Sequence, residues 1–68
     1  MTAGYHLILA SAVGDRDGMA VELTRDDGQR VAEVFEDDET GRRTVSVFEK
    51  GVPLEAIEWL LAEAKTRL

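Results

Sequence analysis

Residues 52–68, VPLEAIEWLLAEAKTRL, decide the fold because their apolar side chains recur with the period of an α-helix. At about 100° per residue, one arc roughly 120° wide holds the apolar stripe of Leu54, Ile57, Leu60, Leu61, Ala64 and Leu68. Trp59, the single tryptophan, falls about 140° from Leu54 and outside this stripe. A helix on one sheet needs no large aromatic there, so Trp59 predicts a second surface. Ala56 and Ala62 beside it allow close approach by another subunit.

Four strand-like segments separated by turn residues precede the helix. They span Tyr5–Ala12, 19–24, 30–36 and 44–49. Short connections favour a sequential antiparallel meander, and the helix then covers one face of that sheet. The sequence therefore predicts an α+β fold in which residues 1–68 form a single ββββα domain. Because Tyr5–Ala12 is apolar on both faces, we expect this strand to be central or covered on both sides.

The turn between the second and third strands admits two registers. A two-residue turn at Asp27 and Gly28 would place Glu22 opposite Glu33. Like charges that face each other directly across two strands are destabilising. This argues against the two-residue turn.

A three-residue loop ending at Gly28 pairs Arg25 with Gln29 instead. Gly28 then occupies the left-handed position of a G1 bulge, which suits glycine. We favour this register. It sets Leu23 opposite Val31 and Met19 opposite Phe35.

The favoured register distributes apolar residues over both faces of the sheet. The face toward the helix would carry Leu7, Leu9, Met19, Val21, Leu23, Val31 and Phe35. The other face would carry His6, Ile8, Ala10, Ala12, Ala20 and Val34. One helix cannot cover both faces, so we expect Ile8 and Ala10 to lie in an interface with a second subunit.

The size of the chain also favours a partner. A chain of 68 residues buries only about 60% of its unfolded surface. Such domains usually gain stability from disulfides, a metal or another subunit. The chain has no cysteine, and His6 is its single histidine, so we expect no disulfide, no zinc site and no cofactor. We therefore expect a homodimer, in which a second subunit supplies the additional stability.

Charge and the first residues limit the partners and the compartment. Fourteen acidic and eight basic residues give a net charge of −6, which disfavours nucleic acid. The start, MTAGYHLILASA, has no basic segment and only a short apolar run. It resembles neither a signal peptide nor a membrane span, so we expect a cytoplasmic protein that does not bind membranes.

Three segments contain residues of the kinds that bind metals or catalyse reactions. Residues 15–18, DRDG, resemble half of a calcium loop, but Met19 and Ala20 follow where an oxygen ligand and a glycine are required. The acids at 36–39 are typical of a solvated hairpin loop. His6 has no nucleophile or carboxylate that the sequence places beside it. We therefore assign no catalytic or metal-binding residue.

The basic residues concentrate at two hairpins, as Arg25, Arg30, Arg42 and Arg43. If the fold brought them together beside an aromatic ring, they would form a surface for single-stranded nucleic acid. Alternatively they neutralise the acids of neighbouring loops, which we favour.

The order of strands followed by a helix carries a resemblance. The segment GRR at 41–43 leads into TVSV at 44–47, and a tryptophan lies in the following helix. Over residues 19–68 this pattern resembles the Whirly-like positive-cofactor family. That resemblance implies a dimer and binding of single-stranded DNA.

Three hypotheses about function follow. The first is a small, acidic, non-catalytic protein-interaction or regulatory module that acts as a homodimer. The alternative is a single-stranded nucleic-acid-binding protein. The third is a small enzyme whose site forms at the dimer cleft, with His6 close to an acid of the other subunit.

Overall fold

The computed structural model describes residues 2–12 and 17–68 of the chain. Its elements are β1 (Tyr5–Ala12), β2 (Gly18–Arg25), β3 (Arg30–Asp37), β4 (Arg43–Val47) and α1 (Leu54–Arg67). The strands form one antiparallel sheet in the order β1-β2-β3-β4. The predicted α+β architecture, a meander followed by one helix, is confirmed.

β1 lies at one edge of the sheet, so the prediction that it is central or covered on both sides is wrong. It pairs with β2 in an unbroken register from Tyr5 opposite Arg25 to Ala12 opposite Gly18. Ile8 and Leu9 stay 39% and 45% exposed, one toward each face. Apolar residues on both sides of this strand therefore mark an uncovered edge.

The turn between β2 and β3 has the predicted three-residue loop. Arg25 N donates to Gln29 O at 2.8 Å, and Gly28 N donates to Arg25 O at 2.8 Å. Gly28 has a φ of 95°, a left-handed conformation that favours glycine. Asp27 Oδ1 accepts a hydrogen bond from Gln29 N at 3.0 Å, which stabilises the loop.

A second irregularity follows directly and changes the pairing. The register shifts between Leu23 and Thr24. Thr24 lies opposite Arg30, whereas Leu23 lies opposite Ala32, so Val31 is the extra residue of a β-bulge. Beyond this point the predicted pairing of β2 with β3 is wrong by one residue.

Because the pairing shifts by one residue at the bulge, the side chains of β3 beyond it lie on the faces opposite to those predicted. Phe35 lies opposite Ala20 and not opposite Met19, on the face away from the helix. Val34 lies opposite Val21, in the core beneath the helix. The predicted positions of Phe35 and Val34 are therefore reversed. We call the face away from α1 the open face.

The core lies between α1 and the other face of the sheet. Its buried residues are Val21, Leu23, Val31, Ala32, Val34, Ala56, Leu60 and Ala64. α1 packs across β2 and β3 and reaches β1, but within the described residues it makes no close backbone contact with β4. The helix therefore leaves the β4 side of the sheet uncovered.

The stripe that the helix presents to the sheet overlaps the predicted one at Leu60 and Ala64 but is rotated from it. Its buried residues, spaced four apart, are Ala56, Leu60 and Ala64. Two alanines on this line let the helix approach the sheet closely. The stripe is rotated accordingly, and Leu54 and Leu61 stay 70% and 40% exposed.

Candidate interaction surfaces

The residues predicted for an interface on α1 have different environments. Trp59 is partly buried and packs against the chain's own core. Ala56 is fully buried under the helix, and Ala62 is exposed. Trp59 thus has a contact within the chain, contrary to the premise on which its assignment to a second surface was based. Whether any of the three contacts another subunit stays a prediction.

The centre of the open face is buried without a second chain. Ala20 and Phe35 are each 4% exposed, and both lie on this face. A Cβ added to Gly18 would lie 2.6 Å from Phe35 Cζ and would also clash with the Glu36 carbonyl oxygen. Glycine at this position lets the aromatic ring lie against β2. On this face Ile8, on β1, stays 39% exposed.

Two glutamates face each other across β2 and β3. Glu33 is 2% exposed and lies opposite Glu22 on the open face. Arg30 Nη1 lies 3.1 Å from Glu22 Oε2 and 3.5 Å from Glu33 Oε1. The same guanidinium lies 4.9 Å from the centre of the Phe48 ring. Arg30 therefore compensates the like charges that the sequence argument counted against this register.

Arg25 and Arg43 also bind carboxylates of neighbouring segments. Arg25 pairs with Glu49, and its second terminal nitrogen lies 3.4 Å from Asp27 Oδ2. Arg43 Nε lies 2.7 Å from Glu36 Oε2. These ion pairs agree with the interpretation that the arginines neutralise nearby acids.

The four arginines do not form one cluster. Arg25 and Arg30 flank the β2–β3 turn, whereas Arg42 and Arg43 lie where β4 begins. β3 separates the two pairs, and its length of 8 residues corresponds to about 23 Å. One chain therefore does not bring all four together, as the nucleic-acid alternative requires.

The remaining candidates for chemistry have structural contacts. Asp37 Oδ1 accepts hydrogen bonds from Glu39 N at 2.8 Å and Thr40 N at 3.1 Å, which closes the acidic loop. His6 Nδ1 lies 3.1 Å from Asp26 Oδ1 of the same chain. Among the described residues no three metal-binding side chains cluster. Part of the DRDG segment, residues 15–16, lies outside the described ranges.

A groove runs between β4 and α1, on the side of the sheet that the helix leaves uncovered. It measures about 300 Å³ and is lined by Val34, Arg43, Val45, Leu61, Ala64 and Lys65. Val45 and Val47 are 50% and 54% exposed along the strand edge. Both charged side chains that line the groove are basic, although acids outnumber bases by 14 to 8 in the chain.

The sequence did not indicate that the residues lining the groove lie together. Leu61 and Lys65 are one helical turn apart, and Val45 and Val47 alternate on one strand, so each pair was visible as a pattern. The missing information was the rotation of α1. That rotation depends on the two buried alanines.

Within the residues that the structure describes, no helix has the length and apolar character needed to cross a membrane. No family model matches the chain, and no curated protein and no solved structure is significantly similar to it. The resemblance to the Whirly-like positive-cofactor family therefore rests on the order of the elements alone.

Proposed function

We propose that the protein is a non-catalytic interaction module that binds an extended segment of a partner protein in the groove between β4 and α1. The segment adds to the sheet as a strand at the β4 edge, a common mode of peptide recognition. The observation that carries this proposal is an unpaired strand edge beside an open apolar groove.

The backbone of β4 is oriented for such an addition. Phe48 N donates to Val31 O at 2.8 Å, and Asp37 N donates to Arg42 O at 3.0 Å. The even-numbered residues of this segment therefore direct their polar groups toward β3. By alternation, the N–H and C=O groups of Val45 and Val47 point away from the sheet and are available to an incoming strand.

The side chains of the groove define the chemistry of the partner. Alternate residues of an added strand would point toward the helix side, over Val45 and Leu61, and apolar residues fit there. Arg43 is held by Glu36, so Lys65 supplies the local positive charge. The partner is thus an extended segment with apolar residues at alternate positions and an acidic residue near Lys65.

The two other hypotheses have less support. Among the described residues, no three His, Cys, Asp or Glu side chains come together as a metal site, and His6 pairs with Asp26 of its own chain. Nucleic-acid binding would need the arginines on one surface, whereas Arg25, Arg30 and Arg43 bind carboxylates at opposite ends of β3.

Two synthetic peptides about eight residues long test the proposal. Both alternate valine with threonine, and one carries two aspartates where the other carries two lysines. We expect the aspartate peptide to shift the backbone amide resonances of Val45 and Val47, and the lysine peptide to bind at least about tenfold more weakly. Equal binding of both peptides, or no shift with either at millimolar concentration, would contradict the proposal.

Variants on α1 assign the binding to the groove. Leu61→Arg should abolish the shifts, because it places a long cation in the groove. Leu54→Arg is the matched control, since Leu54 is more exposed, lies on the same helix and does not line the groove. Lys65→Glu should reverse the preference toward the lysine peptide. If Leu61→Arg and Leu54→Arg bound equally well, the segment would not lie in the groove.

A further inference from the structure

Within Tyr5–Ala12, the opposite edge of the sheet lacks the short length, charges, proline and bulges that usually prevent two edges from pairing. Natural edges are protected by short strands, charged side chains, proline or bulges. β1 has 8 residues, pairs with β2 without a bulge, and carries no charged residue from Leu7 to Ala12. We propose that β1 pairs antiparallel with β1 of a second copy of the chain, which joins the two sheets of the dimer into one.

The backbone of β1 has polar groups available for this pairing. Asp26 N donates to Gly4 O at 2.9 Å, which fixes the direction of the polar groups along the strand. The backbone N–H and C=O groups of even-numbered residues in β1 point toward β2, and those of odd-numbered residues point away from it. The residues whose backbone groups point away are Tyr5, Leu7, Leu9 and Ser11.

In one register, all four residues whose backbone groups point away from β2 lie opposite such a residue of the second copy. In a two-fold antiparallel pair, outward residues must lie opposite outward residues. Leu7 then lies opposite Leu9 of the partner subunit, and Tyr5 lies opposite Ser11 of the partner subunit. Ile8 lies opposite Ile8 of the partner subunit, at the two-fold axis. A shift by two residues toward the C-terminal end would place Tyr5 opposite position 13, beyond the end of β1.

This register also matches the side chains. On the open face, each Ile8 meets the other, and each is 39% exposed in the single chain. On the helix side, Leu9, which is 45% exposed, meets Leu7 of the partner subunit. Each apolar side chain at the centre of the pair therefore meets an apolar side chain.

The absence of charge on this part of β1 allows a second copy to occupy this edge. Two copies with a net charge of −6 each repel one another wherever their acidic surfaces meet. From Leu7 to Ala12 there is no charged side chain, so two identical strands meet there without that repulsion. The pairing leaves the groove on the other edge free, and it does not depend on what the groove binds.

A cysteine at the two-fold axis tests the register. The chain has no cysteine of its own. Facing residues that are not hydrogen-bonded to each other lie about 4.5 Å apart at Cα, within the range of a disulfide. Ile8→Cys should therefore form a disulfide-linked dimer when oxidised glutathione accepts the two electrons of the two thiols.

Ala10→Cys is the matched control on the same face of the same strand. The register separates the two copies of residue 10 by about 13 Å along the strands, which a disulfide cannot span. We expect at least about tenfold slower cross-linking for Ala10→Cys. Equal rates for the two variants would indicate random collisions and would overturn the proposed register.

Solution mass tests the edge without any cysteine. Leu9→Lys places a charge on the β1 edge, a substitution that natural edges use to prevent pairing. It should give a monomer by sedimentation, with the circular dichroism spectrum unchanged. Val47→Lys places the same charge on the exposed β4 edge and should leave the dimer intact. A monomeric wild-type chain, or a dimer that survives Leu9→Lys, would overturn the proposal.

Discussion

The two edges of the sheet expose apolar residues to a similar degree but differ in length and surroundings. β1 is 8 residues long and uncharged beyond His6. β4 is 5 residues long, begins with Arg43 and lies beside a groove with basic residues at its rim. A long neutral edge fits an identical strand, whereas a short edge beside a helix fits a different and complementary segment. Both edges have an unpaired strand, but we expect a second copy of the chain at β1 and a different protein segment at β4.

The position of α1 produces this difference. The helix lies over β1, β2 and β3, so the β4 side of the sheet becomes one wall of a groove. Ala56, Leu60 and Ala64 set that position because they are the residues buried against the sheet. Changes in the helix contact should therefore alter the β4 edge more than the β1 edge.

Removal of the central helix contact is the largest change we consider. Leu60 is fully buried in the core, so Leu60→Ala should lower the free energy of unfolding by about 2–5 kcal/mol. Leu61→Ala on the same helix should lower it by less than about 1 kcal/mol, because Leu61 is 40% exposed. Urea denaturation measures both values. Similar losses for the two variants would mean that Leu61 packs against the sheet as fully as Leu60 does.

Removal of the Arg30 guanidinium should have a smaller effect, concentrated at the β4 edge. Arg30→Gln leaves the nearly buried Glu33 beside Glu22 without the cation that lies between them. We expect a loss of about 1–2 kcal/mol, toward the lower end because the Arg30 side chain is half exposed.

A second substitution separates charge from packing at this site. Glu22→Gln in the Arg30→Gln background should restore part of the stability, because one of the two like charges is removed. Arg30 also contacts Phe48, just after β4, so amide exchange should accelerate in β4 and not in β1. Equal acceleration at both edges, or no recovery with Glu22→Gln, would contradict this role of Arg30.

Local sequence patterns predicted the elements and one turn correctly. The apolar run Tyr5–Ala12 predicted both ends of β1 correctly. The glycine that follows two aspartates predicted the three-residue loop that ends at Gly28. These features depend on residues that are close together in the chain, so the sequence alone is enough to predict them. The meander followed from the short connections between the strands.

The register beyond the turn was not predictable in the same way. From the sequence, a pairing that sets Glu22 opposite Glu33 is unfavourable, because like charges repel. The structure has this pairing, and the charge of Arg30 that compensates it is evident only from the positions of the side chains. The bulge at Val31 then reversed the faces of β3. The groove was missed for a related reason, since periodicity places residues around a helix but does not determine which arc faces the sheet.

The smallest effect concerns the β2–β3 loop, which lies at neither edge. The hydrogen bond from Gln29 N, together with the charge of Arg25, lowers the pKa of Asp27 below its usual 3.8, although burial opposes this. Because the pKa is lowered in the folded chain, the stabilisation is complete above pH 3.8 and is lost as the pH falls through the folded pKa. Unfolding free energies should therefore decline less below pH 3.8 for Asp27→Asn than for the wild type. Parallel curves would contradict this assignment.

Amide hydrogen exchange tests most directly the claim that the two edges serve different partners. Leu7 and Leu9 on β1, and Val45 and Val47 on β4, direct their N–H groups away from the sheet. As the concentration of the protein alone is raised, exchange at Leu7 and Leu9 should slow while exchange at Val45 and Val47 stays fast. Rates that are independent of concentration at all four positions, or protection that develops at Val45 and Val47 instead, would contradict the account.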